Sequence, residues 1–200
     1  MHYFVTGIDT DSGKTLVSAI LCEALGFDYW KPIQAGFPKD SDTVKKLVPN
    51  VIAHPEAYML NTPASPHASA KIDEVTIDPT KITVPKYKSG LIIEGAGGCL
   101  VPLNEIDFVI DLAPILHAEI ILVADLYLGS INHTLLTVHL LQSRKYRVKG
   151  IIFNGEPNPE SERIILQHSG YPCLLRITKE PTITHETIKR YATLLKKNLE

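Results

Sequence analysis

The chain is expected to fold as a single α/β domain, a doubly wound, mostly parallel sheet with helices on both faces. Three observations predict this. Short apolar runs of β type alternate with amphipathic helical patterns at intervals of about 25 to 50 residues along the 200-residue chain, the pattern of right-handed βαβ crossovers. Two of the runs, Leu91-Ile92-Ile93 and Ile120-Ile121-Leu122-Val123-Ala124, are apolar without alternation, as strands covered on both faces are. Small or polar residues follow the runs, at Gly7, Glu94, Gly129 and Asn154. In an open parallel sheet these positions fall at the carboxyl edge, where ligands bind.

Taken in order, residues 2–6 read as the first strand and 13–25 as a helix. Its apolar positions Leu16, Val17, Ile20, Leu21, Ala24 and Leu25 follow a 3.6-residue period, and Gly26 ends it. Phe27 to Trp30 is a short strand that delivers Lys31 to Gly36 into a loop. A helix follows Asp40-Ser41-Asp42, with Ser41 or Asp40 as N-cap. Six prolines break up residues 49–88, so this stretch is expected to be an irregular insert, with Ala64–Ala70 either a short helix or a substrate-facing loop. Beyond strand 91–94, helices are expected at 107–117, from 131 to about 144, for about ten residues after Pro157 and Pro159, and at 185–198. The intervening strands are 119–125, 148–153 and 173–177.

The first strand leads into Gly7-Ile8-Asp9-Thr10-Asp11-Ser12-Gly13-Lys14-Thr15. This is a phosphate-binding loop between a strand and a helix. Gly7 and Gly13 let successive N–H groups turn toward one anion, and the helix adds the positive end of its dipole. Lys14 supplies a compact charge for terminal phosphates, and the Thr15 hydroxyl suits Mg²⁺. Five residues separate the two glycines, where the usual pattern has four. Glu94 ends a buried strand beside this loop, the position of a second Mg²⁺-directing acid. Gly95, Ala96, Gly97 and Gly98 after it allow close backbone approach. Gly129 and Asn132 open a helix whose N-terminus suits a carboxylate.

A net charge of −2 gives no electrostatic case for nucleic acid or an anionic membrane. No apolar run reaches the ~20 residues of a membrane span, and the N-terminus shows no basic region or cleavage site. Cys22, Cys99 and Cys173 are odd in number and lack metal spacing. Reduced thiols in a cytoplasmic protein are the expectation.

The phosphate loop with its five-residue spacer, Lys31-Pro-Ile-Gln-Ala-Gly36, Pro63-Ala-Ser-Pro-His67, Ile93-Glu-Gly-Ala-Gly-Gly98, Leu128-Gly-Ser-Ile-Asn-His133 and Asn154 together resemble the dethiobiotin synthetases. The blocks run in that family's order over about three-quarters of the chain. The resemblance implies a P-loop enzyme that binds ATP, Mg²⁺, CO₂ and 7,8-diaminononanoate. It forms a carbamate, phosphorylates it and closes the ureido ring, with composite sites in a homodimer. It implies Lys31, Lys14 and Thr10 as catalytic residues. ATP contacts would come from Asp11, Ser12, Gly13, Lys14, Thr15, Leu16, Asp42, Glu94, Gly95, Ala96, Gly97, Asn154 and Gly155. Mg²⁺ would be held by Thr15, Asp42 and Glu94. The diamine would meet Thr10, Lys31, Ala35 and Gly97, and its carboxylate Gly129 and Asn132 of a neighbouring subunit. His67 is expected to be structural.

Two features depart from the family pattern, one in the Lys31–Gly36 segment and one where the base would bind. Ala35 stands where the family usually has Ser or Thr, which removes one hydroxyl. Leu175-Arg-Ile-Thr-Lys-Glu-Pro181 replaces a Gly-Glu-Ile-Pro-like loop, and Gly155 stands where Asn154 usually has an Asp partner. Weaker selection of adenine is expected. The competing reading is a partition or septum-positioning ATPase switch. That class carries a second lysine early in the loop, where this chain has Asp9, and it leaves Lys31 and residues 128–133 without a role.

Overall fold

The computed structural model describes residues 1–199. In chain order the elements are β1 (His2–Gly7), α1 (Lys14–Leu25), β2 (Asp28–Trp30), β3 (Ile33–Ala35), α2 (Asp40–Leu47), β4 (Ala53–His54), β5 (Tyr58–Leu60), α3 (Pro66–Ile72), β6 (Leu91–Gly98), α4 (Leu112–Ile115), β7 (Glu119–Asp125), α5 (Ser130–Ser143), β8 (Val148–Asn154), α6 (Pro159–Ser169), β9 (Cys173–Ile177) and α7 (His185–Leu199). Seven strands form one sheet in the order β4-β2-β6-β1-β7-β8-β9, and every pairing in it is parallel. The chain starts at the central strand, winds outward to one edge and returns across β1 to the other. This is the doubly wound topology.

Strand alternation divides the core in two. Tyr3, Val5, Tyr29, Ile92, Ile121, Val123 and Ile152 face one side, against Val17, Ile20 and Leu21 of α1, Val44 of α2, and Ile188 and Leu195 of α7. Phe4, Trp30, Leu91, Ile93, Ile120, Leu122, Ile151 and Phe153 face the other, with Val138 and Leu141 of α5 and Ile165 of α6. Full burial of each such side chain contributes roughly 1.5–3 kcal/mol. The faces also explain where the polar strand ends point. Tyr29 and Ile92 lie on the α1 side, so Lys31 and Glu94, two residues further on, are directed to that same side at the sheet's carboxyl edge.

Several expectations change. β6 does not end at Glu94 but continues to Gly98, and Ile33–Ala35 within the expected Lys31–Gly36 loop forms β3. Residues 107–117 are not one helix. Phe108 makes an antiparallel bridge to Pro102, a single 3₁₀ turn covers Val109–Asp111, and α4 is only four residues long. Pro114, which cannot donate to a helical bond, lies within α4. The Asp111 carboxylate accepts from the Phe108 N–H at 2.8 Å and fixes the turn. Residues 49–88 are more ordered than their prolines imply. They supply β4 to the main sheet, while β5 pairs in parallel with β3 in a small second sheet. Ala64–Ala70 resolves as α3, with Pro66 in its first turn, where a missing N–H costs nothing.

All three thiols are free. Cys22 and Cys99 are buried and Cys173 is partly so. No helix among the described residues is long and apolar enough to cross a membrane.

Gly150 lies where β8 meets the start of β9. A Cβ there would stand 2.6 Å from the Pro172 carbonyl oxygen and 2.7 Å from Leu174 Cγ. Gly150→Ala is expected to lower stability by roughly 1–3 kcal/mol through overpacking, read as a lower urea midpoint.

Candidate active site

The loop from Gly7 to Thr15 is held at several points before any ligand is considered. Gly7 is required sterically, since a Cβ would fall 1.9 Å from Ser12 Oγ. Ser12 Oγ donates to the Asp9 carbonyl at 3.0 Å. Gly13, with φ +95°, is the N-cap of α1. Asn154, at the end of β8, donates through Nδ2 to the Ser12 carbonyl at 3.0 Å. Lys14 Nζ donates to the carbonyls of Asp9 and Thr10 at 2.8 Å each, so the ammonium lies within the curl of its own loop. Burial pushes the Lys14 pKa down to about 8, although Glu94 nearby works the other way.

The second cation is Lys31, just beyond β2. Its Nζ is 3.2 Å from Glu94 Oε1 and also pairs with Asp40. Burial opposes its charge, but the carboxylates of Glu94 and Asp40 outweigh burial and raise its pKa. Glu94 is 1% exposed. Thr15 Oγ1 lies 2.9 Å from Glu94 Oε1 and 3.1 Å from Asp40 Oδ1. One hydroxyl, two carboxylates and one ammonium therefore converge.

Asp40, and not the expected Asp42, is the carboxylate of α2 that contacts Thr15 and Lys31. Asp42 is exposed and has no hydrogen bond to Thr15, Lys31 or Glu94. The reason is helical geometry. Residues two apart on a helix point about 200° apart, so only one carboxylate of Asp40-Ser41-Asp42 can face the loop. Asp40 is also not an N-cap. That position is Lys39, without a side-chain cap. The Asp40 N–H is instead met by Gln34 Oε1 at 3.2 Å, which ties α2 to the Lys31–Gly36 loop.

Two cavities open on this cluster. One, of about 260 Å³, is lined by Gly13, Lys14, Thr15 and Glu94, with Asp11 at its side. The other, of about 450 Å³, is walled by Ala35, Pro63, Pro66, Ala96 and Val101. Thr10, Lys31, Asp40 and Gly97 belong to both. Gly97 has φ +68°, and a Cβ there would stand 2.8 Å from Val101 Cγ2, so only glycine leaves this junction open. Gly95 is buried against Phe4 and Val109. Leu16 packs into the α1-side core and does not line the cavities.

Gly129 and Asn132 are exposed at the start of α5 and line neither cavity. Gly155, with φ +111°, follows Asn154 and donates its N–H to the Ile177 carbonyl at 2.9 Å. Sequence reasoning missed the site role of Asp40, the Gln34 contact to it and the phenol of Tyr29, which donates to Glu94 Oε2 at 3.0 Å. Strand alternation around Lys31 held the signal for Tyr29. No group of three or more His, Cys, Asp or Glu among the described residues forms a closed metal cage. Thr15, Glu94 and Asp40 are hard oxygen donors that suit Mg²⁺ once phosphate oxygens complete the set.

Fold and loop together define a P-loop nucleotide-binding protein. A ParA family ATPase from Chlorobium tepidum superposes with a TM-score of 0.59 at 14% identity, covering 99% of this chain and 96% of that one. The septum site-determining protein MinD of Pyrococcus horikoshii gives 0.54 at 17% identity, covering 100% and 93%. At such identities the likeness is one of fold alone. A family model described as an AAA domain matches residues 1–187. The ATP-dependent dethiobiotin synthetase BioD of Cytophaga hutchinsonii is 56% identical over 96% of both chains. That of Christiangramia forsetii is 46% identical over 98% of this chain and 97% of its own. The chain belongs to the dethiobiotin synthetase family, a family of cyclo-ligases.

Proposed function

We propose that the protein closes the cyclic urea of dethiobiotin from 7,8-diaminononanoate, CO₂ and ATP, with Mg²⁺, as a homodimer. One observation carries this reading: Lys31, Thr10, Asp40 and Gly97 line the phosphate cavity and the apolar cavity at once. A reaction that passes a phosphoryl group to a small organic acid needs such a common wall, because its reacting atoms must meet at about 3–3.5 Å. The names of the relatives supply ATP and dethiobiotin.

In the first step one neutral amine of the diamine adds to CO₂ and loses a proton, giving a carbamate. A carbamate oxygen then attacks the γ-phosphorus, and the bond to ADP breaks. The second amine attacks the carbonyl carbon of this mixed anhydride. Phosphate leaves with the electron pair, a proton is lost and the ring closes. Two anions must approach in the middle step, so the chief demand is neutralisation of charge. Lys31 stands at the junction, with its charge maintained by Glu94 and Asp40. Lys14 lines the phosphate cavity and donates to the Thr10 carbonyl. Thr15, Glu94 and Asp40 would hold Mg²⁺, which when bound offsets phosphate charge. Ala35, Pro63, Pro66 and Val101 offer apolar walls to the methylene chain. Gly129 and Asn132 serve a neighbouring subunit's substrate on this reading. Their position outside this chain's own cavities supports it, as does exposed apolar surface at Leu100, Leu128 and Leu136.

Dethiobiotin is expected on incubation with the diamine, bicarbonate, Mg²⁺ and ATP. ATP hydrolysis indifferent to the diamine would sink the reading. Lys31→Ala should lower stability, since it leaves Glu94 without its buried cation; in the folded fraction, checked by circular dichroism, kcat should fall by roughly 10²–10³-fold, as loss of a transition-state charge contact does, and near-normal turnover would remove Lys31 from catalysis. Asp40→Asn should raise the Mg²⁺ needed for half-maximal turnover, and Asp42→Asn should leave it unchanged. The reverse result in a Mg²⁺ titration would restore Asp42 to the metal set. Lys14 supplies a pH signature. It is charged below about pH 8 in the free protein, and phosphates raise its pKa, so binding takes up a proton above that pH. Affinity for metal-free ATP should therefore be level below about pH 7 and fall by up to about tenfold per unit above 8. Calorimetry that finds equal affinity at both ends of this range would contradict it.

A further inference from the structure

The hydrogen bonds around Glu94 are divided unequally between its two oxygens. Oε1 receives Thr15 Oγ1 at 2.9 Å and Lys31 Nζ at 3.2 Å. Oε2 receives one partner, the phenol of Tyr29, at 3.0 Å. Glu94 is 1% exposed and Tyr29 fully buried, so no solvent is in reach to replace that partner. We infer that Tyr29 is a positioning residue: its hydroxyl fixes the rotation of the Glu94 carboxylate, so that Oε1 stays on the phosphate side of the site.

The geometry follows from strand alternation. Tyr29 and Lys31 are two residues apart along the β2 direction and so project to one side. Tyr29 is registered opposite Ile92 of β6, and Glu94 is two residues beyond Ile92. One short strand thus sends a neutral donor to the rear oxygen of Glu94 and a cation to its front oxygen. The ring cannot swing away, because it is packed in the α1-side core with Val17, Cys22 and Val44 among its members. Burial, and then the charge on Glu94, push the phenol's pKa well up, so the hydroxyl keeps its proton and remains a donor. A buried acceptor stripped of its partner is left with an uncompensated desolvation penalty. Without the phenol, the carboxylate would be expected to turn Oε2 toward Lys31 or Thr15 and lose its aim. Tyr29 itself lines neither cavity and touches no reacting atom, so it acts through Glu94.

The inference rests on the reading that Glu94 serves Mg²⁺, and the test separates the two. Binding of ADP would be measured by calorimetry, with Mg²⁺ and with EDTA, for the full chain and for Tyr29→Phe, Glu94→Gln and the double variant. If Mg²⁺ does not alter ADP affinity in the unsubstituted protein, or Glu94→Gln leaves the Mg²⁺ effect intact, the metal reading fails. If that reading holds, Tyr29→Phe should weaken binding of Mg-ADP about tenfold and leave metal-free ADP within about twofold. In the Glu94→Gln background the same change should add nothing further. Unchanged Mg-ADP affinity in Tyr29→Phe overturns the inference, as does an equal loss with and without metal, which a packing defect would cause. Should Tyr29→Phe fail to fold, a folded double variant supports the coupling to the carboxylate, and an unfolded one overturns it.

Discussion

The structure depends on one buried charge. Glu94 brings an anion to the carboxyl edge of a parallel sheet with 1% of its surface exposed. An isolated carboxylate there would carry a desolvation penalty of several kcal/mol. What surrounds it offsets that penalty: the Lys31 ammonium, the Thr15 hydroxyl and the Tyr29 phenol. These partners come from two different elements and the loop beyond one of them, so the charge also serves as a registration point. β2 must align with β6, and α1 must start where it does, for the three donors to meet one side chain. Asp40 adds a second anion from α2. Lys14, close enough to feel the charges of Glu94 and Asp40, adds a second cation beside Lys31, so the four charges nearly cancel before a ligand arrives.

The parts of the fold legible in the sequence were those governed by local periodicity. The α1 pattern and the uninterrupted run of β7 match the observed elements closely because burial on one face or two leaves a direct mark on residue choice, whereas the β6 run marks only the apolar half of a strand that continues through small residues to Gly98. Residues 107–117 misled because their apolar content is real but serves an irregular turn. Phe108, Val109 and Ile110 pack into the core without a helix to carry them. The insert at 49–88 misled in the opposite direction. Its prolines rule out long elements but allow a two-residue edge strand, a second small sheet and a helix with proline in its first turn.

The site was legible to the same degree and for a similar reason. Each motif follows or lies within a strand of one parallel sheet, so Lys14, Thr15, Lys31 and Glu94 come to line one cavity. Asp40 and Asp42 could not be told apart, since both precede the same apolar face and the deciding quantity is the rotation of α2. That rotation is fixed by tertiary contacts: Gln34 on the Asp40 N–H, and Glu56 receiving Ser41 and Lys39 at 2.7 and 2.9 Å. Tyr29 escaped notice because a tyrosine in a strand is ordinarily core, and its ring here is core. Only the hydroxyl belongs to the site.

The long phosphate loop gains its meaning from the two cavities. A loop one residue shorter could still close around an anion, but Thr10 lies on the wall that both cavities share. The added length brings the loop's outer turn to the apolar side, while Lys14 keeps the inner turn closed on the Asp9 and Thr10 carbonyls. Asn154 anchors the far end through the Ser12 carbonyl, close enough that a side chain at Gly13 would stand 2.3 Å from its amide. A loop fixed at both ends and extended in the middle can present backbone to a phosphate and a hydroxyl to a second substrate without moving either. For the proposed reaction, in which two anions must be brought together, that rigidity matters more than affinity for either one.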